Sequence, residues 1–226
     1  MNDKLRQLCQ QLFVRPLMLG LLGLTVSNRE RLPSCGPAIV VANHNSHLDT
    51  AALFTLFPLS CLPLLKVVAA SDYFFRSNSL SGWIARRVFA AVPLERFFRL
   101  GHGDPLEACS AALMSGAILL FFPEGTRGVP GCLGEFKFGV AHLVRRHPNI
   151  PVTPIGLIGL DRVLPKGANL PLPLTCEARV GSPQRWSGDC RSFTAQLKAA
   201  LVGLIDPHEG PNEDVTEGRV TLRRAA

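Results

Sequence analysis

No C-x-x-C pair occurs in this sequence, although it contains seven cysteines, at positions 9, 35, 61, 109, 132, 176 and 190. Scattered and odd in number, they build neither a secreted disulfide framework nor a zinc ribbon, and they suit a reducing compartment. Long apolar runs are missing near the N-terminus as well. The longest there, Pro16 to Val26, has eleven residues, against the ~20 a helix needs to cross a bilayer. Polar Gln7, Gln10 and Gln11 precede it, and no small-x-small cleavage site follows in the right place, which disfavours a signal peptide. Internal repeats are absent. Acidic residues are scarce beside basic ones, 17 Asp and Glu against 24 Lys and Arg, for a net charge of +7. That balance favours partners carrying phosphates, carboxylates or an anionic lipid surface. Nucleic acid is set aside because no recognised binding motif accompanies the charge.

What is present is the composition of one folded domain: 226 residues, 47% hydrophobic and 18% charged. Residues 1–30 read as a helix lying in the membrane interface, with Arg6 and Arg15 turned to the headgroups. Residues 31–205 read as the working domain, and residues 206–226 as a polar tail unable to bury a core. Within the domain, the runs Ala38 to Ala42, Leu64 to Ala69, Ala117 to Phe122, Val152 to Leu157 and Thr175 to Val180 predict strands. Helices are predicted over Leu48 to Phe57, after the Asp104-Pro105 start signal, and over Phe193 to Leu204. Continuous apolar strands alternating with helices predict an α/β fold, a single domain with a largely buried central sheet flanked by helices.

Two polar clusters follow two of the predicted strands. In Asn43-His44-Asn45-Ser46-His47-Leu48-Asp49, the five-residue spacing would put His44 and Asp49 roughly 140° apart on one continuous helix. They meet only if His44 lies in the turn and Asp49 in the first helical turn, where the carboxylate would orient an imidazole acting as general base. Ser46-x-x-Asp49 also fits a capping pattern, so Asp49 as a mere cap is the competing reading. A metal site on His44, His47 and Asp49, serving a hydrolase, is the more remote alternative. The H-x-x-H-x-D spacing lacks the H-x-H start of binuclear hydrolases, and no second His/Cys cluster follows. The second cluster is Phe121-Phe122-Pro123-Glu124-Gly125-Thr126-Arg127. There Arg127 offers a bidentate fork for phosphate, Thr126 a further donor, and Gly125 close backbone approach.

Taken together and in this order, the clusters resemble the glycerolipid acyltransferase family, typified by 1-acylglycerol-3-phosphate acyltransferases. Val92-Pro93-Leu94-Glu95-Arg96, Phe136-Lys137-Phe138-Gly139 and Val152-Thr153-Pro154-Ile155-Gly156 are similar to its other blocks. The resemblance spans about Ala38 to Leu204. It implies transfer of a fatty acyl group from a thioester, acyl-CoA or acyl carrier protein, to a hydroxyl of a membrane lipid, with no cofactor or metal. By resemblance His44 takes the hydroxyl proton and Asp49 orients it. Glu124, Gly125, Thr126 and Arg127 hold the acceptor head, assisted by Arg96 and Lys137. The expected place of work is the cytoplasmic face of the cell membrane. Ser71 stands where the family often has a lysine, and Gly128, Pro130 and Gly131 replace its usual serine-led continuation. The acceptor the resemblance implies is a lysophospholipid of the 1-acylglycerol-3-phosphate type. With one cation fewer, a head less negative than a phosphomonoester, a lyso-aminolipid for example, is the alternative. The arginine-rich stretch from Arg76 through Arg86, Arg87 and Arg96 to Arg99 is a candidate face for anionic lipid or the phosphates of CoA.

Overall fold

The computed structural model describes residues 3–46, 48–70, 88–94, 104–128, 132–163 and 175–206. Its centre is a mixed sheet in the order β1-β7-β6-β2-β5-β3-β4. The strands are β1 (Thr25–Ser27), β2 (Ala38–Ala42), β3 (Leu65–Ala70), β4 (Val92–Leu94), β5 (Ile118–Phe121), β6 (Val152–Ile158) and β7 (Glu177–Val180). Neighbours run parallel except β6 and β7, which are antiparallel. Every residue of β2 and β5 is buried, as their unbroken aliphatic runs require when both faces of a sheet are covered.

Strand alternation sorts these side chains into two cores. Val40, Ala42, Ile118 and Leu120 face one side, with Phe54 and Leu53 of α2 (Asp49–Leu56) and Met18 and Leu22 of the N-terminal segment. Ile39, Val41, Leu119 and Phe121 face the other. There they meet helices α3 (Glu107–Met114), α4 (Gly139–Arg146) and α6 (Cys190–Ile205), while the short α5 (Leu160–Val163) closes the first side. Each fully buried Leu, Ile or Phe contributes about 1.5–3 kcal/mol.

The five predicted strands and the predicted helices over Leu48 to Phe57, after Asp104-Pro105 and over Phe193 to Leu204 agree with the observed ones to within a few residues. By contrast, β1, β4, α4 and α5 were not predicted, and β1 lies within residues 1–30, expected to be helix. Local chemistry sets the ends. Asp104 accepts the Leu106 N–H at 3.1 Å in the turn that opens α3. Gly116 terminates the helix at φ +82°, a conformation glycine adopts without steric cost. Helix α6 begins three residues before the predicted Phe193, because the Asp189 carboxylate caps it by accepting the Ser192 N–H at 2.8 Å.

The N-terminal helix is present, but its arginines turn the opposite way from the expectation. Helix α1 (Asp3–Cys9) continues through wide turns at Gln10–Val14 and Pro16–Leu21. Arg6 is buried and donates to the carbonyls of Val88, Leu62 and Leu65 at 3.2–3.3 Å. Arg15 donates to the carbonyls of Thr55 and Phe57, where α2 ends. The orphan carbonyls at a helix terminus need donors. Arg15 supplies them at the end of α2, Arg6 serves carbonyls of the chain around β3 and at Val88, and neither reaches outward. Leu5, Leu8, Leu12, Phe13, Leu19 and Leu21 are left on the exposed side, Phe13 with 70% of its surface accessible. Among the described residues no helix is long and apolar enough to cross a membrane.

Candidate active site

Parallel pairing of β2 with β5 aligns Val41 with Phe121. The two polar clusters therefore leave the sheet side by side at its carboxyl edge, the usual place for ligands in open α/β sheets. The Asn43 side chain ends β2. Its Oδ1 accepts the Leu157 N–H at 2.7 Å and its Nδ2 donates to the Leu157 carbonyl at 2.9 Å. A side chain thus completes the pairing with β6, and the main chain turns away at His44.

His44 and Asp49 meet. The His44 Nδ1 lies 2.9 Å from Asp49 Oδ2. The same oxygen accepts the N–H groups of Asn45 at 2.7 Å and Ser46 at 2.8 Å. Ser46 Oγ in turn accepts the Leu48 N–H at 3.2 Å. The reciprocal capping contacts and the His–Asp pair therefore coexist, and the two readings left open by the sequence are not alternatives. Asp49 is 1% exposed, a setting in which three donors compensate for burying a carboxylate.

The second cluster grips the first. The ring of Phe122 stacks on that of His44, with centroids 4.1 Å apart and planes at 20°. Gly128 donates its N–H to the His44 carbonyl at 2.8 Å. Glu124 departs from its expected place among the headgroup ligands. It is buried, its Oε1 accepts the His44 N–H at 2.8 Å, and its Oε2 accepts the Gly134 N–H at 2.9 Å. Gly125 adopts φ +72° and donates to the Phe122 carbonyl at 3.0 Å, closing the turn. Gly125, Thr126 and Arg127 are exposed beyond it. Lys137, also exposed, donates its N–H to the Pro123 carbonyl at 2.8 Å, and its Cγ lies 3.7 Å from where a Gly125 Cβ would stand. The Lys137 side chain thus runs beside the turn that carries Arg127.

Arg96, His47 and Ser71 lie outside the described residues, as do the other members of the arginine-rich stretch. Three contributors escaped the sequence reading: Phe122 as the stacking partner of His44, Asn43 as the strand terminator, and Gly134 as a partner of Glu124. Phe122 was within reach. In a strand whose Leu120 faces the α2 side, the residue two further on faces the same side.

The acyltransferase family model matches residues 23–158. Over 146 residues the chain is 36% identical to a chloroplastic 1-acyl-sn-glycerol-3-phosphate acyltransferase of Arabidopsis thaliana, covering 64% of this chain and 38% of that protein. It is 29% identical over 168 residues to the alpha 1-acyl-sn-glycerol-3-phosphate acyltransferase of Mus musculus, covering 72% and 55%. The chain thus spans about two fifths of the length of the plant relatives it matches. The crystal structure of the 1-acyl-sn-glycerophosphate acyltransferase from Thermotoga maritima superposes with a TM-score of 0.65 at 21% identity, covering 89% of this chain and 79% of that one. That likeness establishes the shared fold.

Proposed function

The chain belongs to the acyltransferase family, and from that premise we propose that it transfers a fatty acyl group from a thioester to the free hydroxyl of 1-acylglycerol 3-phosphate at a membrane surface. The observation that carries the chemistry is the His44–Asp49 contact at 2.9 Å. With Nδ1 committed to the carboxylate, Nε2 is the nitrogen that takes the acceptor proton. The hydroxyl oxygen attacks the thioester carbonyl carbon, and His44 receives its proton. The tetrahedral oxyanion then collapses, the C–S bond breaks, and the proton passes from His44 to the departing thiolate. Asp49 holds the ring in one tautomer and stabilises its charged form. The thiolate of a thioester leaves readily enough that no covalent enzyme intermediate or metal is called upon.

The acceptor assignment is supported by the names of the relatives and by the exposed Arg127 and Lys137 at and beside the Gly125 turn. Arg127 presents a fork suited to a phosphate, with Lys137 as a second positive charge and Thr126 as a neutral donor. The donor, acyl-CoA or acyl carrier protein, is a thioester in either case. Membrane seating is supported by the exposed apolar residues of the N-terminal segment, Leu5, Leu8, Leu12, Phe13, Leu19 and Leu21, while Arg6 and Arg15 are bonded to main-chain carbonyls inside the protein. Such a surface lies in the headgroup and acyl boundary without spanning it.

A competition assay tests this reading. Purified protein, an acyl-CoA and equimolar 1-acylglycerol 3-phosphate, monoacylglycerol and a lyso-aminolipid are incubated together, and products are read by mass spectrometry. The expected main product is the diacylglycerol 3-phosphate. Preferential acylation of an acceptor without the phosphomonoester would instead favour the reading drawn from Ser71. No acyl transfer to any of the three, or from acyl carrier protein, would overturn the proposal.

A further inference from the structure

Glu124 belongs to the four-residue turn whose other members face outward, yet its carboxylate faces in. We infer that Glu124 is a positioning residue for His44, acting through the main chain, and that it makes no contact with the acceptor head. This inference rests on the proposed reaction and concerns how its base is held.

One carboxylate oxygen accepts the N–H of His44 itself at 2.8 Å, and the other accepts the N–H of Gly134 at 2.9 Å. The peptide groups on both sides of His44 are thereby fixed by the second cluster, since Gly128 donates to the His44 carbonyl at 2.8 Å. The ring is fixed separately, by Asp49 on one nitrogen and Phe122 on one face. Backbone and side chain of the base are thus held by different groups, and Glu124 carries the backbone half. A carboxylate that is 5% exposed, with a main-chain donor on each oxygen, is poorly placed to solvate a phosphate, which it would also repel.

The glycines around it make the same point. A Cβ on Gly134 would stand 2.7 Å from Glu124 Oε2 and 3.4 Å from its Cγ, and a Cβ on Gly128 would stand 2.9 Å from Oε2. Neither glycine has a positive φ, so neither is required by its backbone angle. Their missing side chains make room for the carboxylate. Anything that displaces Glu124 should therefore act on His44, and the position of a general base within a fraction of an ångström governs the rate far more than acceptor affinity.

The test compares Glu124→Gln, Gly134→Ala and the double variant in steady-state assays with acyl-CoA and 1-acylglycerol 3-phosphate. Glutamine places an NH2 donor against one of the two N–H donors and so loses one of the two bonds. Alanine displaces the carboxylate without altering its charge. Each single variant should lower kcat at least tenfold with the acceptor KM within twofold of wild type. The double variant should be no worse than the poorer single one, the non-additivity of residues acting as a unit. The His44 Cε1–H resonance, assigned by its loss in His44→Ala, should move in both single variants and stay in place in Arg127→Lys. A tenfold rise in acceptor KM at unchanged kcat, additive losses, or an unmoved resonance would each overturn the inference. Should Glu124→Gln fail to give a cooperative melt, Gly134→Ala carries the same comparison. A wild-type protein that acylates none of the acceptors would sink the proposed reaction, and the resonance measurement would still decide the role of Glu124.

Discussion

Asp49 Oδ2 accepts from one imidazole and two main-chain N–H groups, so substitutions there divide chemistry from stability. In Asp49→Asn the amide oxygen still accepts from the main chain, while the imidazole loses the charge that fixes its tautomer. Turnover should fall on the order of ten-thousandfold, by analogy with the buried aspartate of other triads, with the melting temperature lowered by only a few degrees. Asp49→Ala removes the cap as well and should cost about 1–2 kcal/mol in addition. The pair is read by single-turnover assays and thermal melts. Near-wild-type turnover in Asp49→Asn would reduce Asp49 to a cap. At this scale the sequence was legible where spacing and residue type coincide, as for His44 and Asp49. It was misleading for Glu124, because a motif on paper does not say which of its members faces inward. That direction follows from which N–H groups the fold leaves unbonded nearby, here those of His44 and of Gly134, ten residues further along.

Helix α1 shows the same ambiguity one level up. Its mixture of arginine, glutamine and leucine was legible as amphipathic, and the polar side was assigned to the headgroups. The fold reversed the assignment, since the end of α2 and the chain beyond it present carbonyls that Arg6, Arg15 and, at Leu59, Gln7 reach. The two faces can be tested apart. Arg6→Ala strands three carbonyls, at Leu62, Leu65 and Val88, and should lower stability by about 2–4 kcal/mol, seen as a lower melting temperature. Phe13→Asp should leave the melt within a degree or two and shift the protein from anionic vesicles into the supernatant on flotation. Vesicle binding unaffected by Phe13→Asp together with Leu12→Asp would place the anchor elsewhere on the surface.

Over the whole molecule, the antiparallel step between β6 and β7 was the feature that local sequence signals did not carry. A strand run says nothing about its direction, and the connection between β6 and β7 falls largely outside the described residues. The step sets β1 beside β7, pairing Thr25 with Glu177 and Ser27 with Arg179. Glu177 accepts the Ser27 hydroxyl at 3.0 Å and pairs with Arg179, whose hydrogen bond above all holds the Glu177 carboxyl below the usual carboxylate range. With a depressed folded value, its contribution is present above the unfolded value of about 4.3 and lost as pH falls through the folded one. Amide protection factors of Thr25 to Ser27 should drop on acidification from about pH 6 to about pH 3 before those of β2 and β5 do. Glu177→Gln should remove most of that early drop, and an unchanged profile in the variant would detach the edge from this carboxylate.

The same closure has a consequence in time. The partner of β1 lies 152 positions downstream (177 − 25), so on a ribosome adding roughly 5–20 residues per second the first strand waits about 8–30 s for its neighbour. Throughout that interval the exposed leucines and Phe13 of the N-terminal segment have been synthesised, while the carbonyls that will receive Arg6 arrive one after another. A nascent chain in this state carries its apolar stripe ahead of its fold. A lipid surface close to the exit tunnel is then the earliest partner that stripe can meet, and translation in the presence of vesicles should yield more folded protein than vesicles added after release.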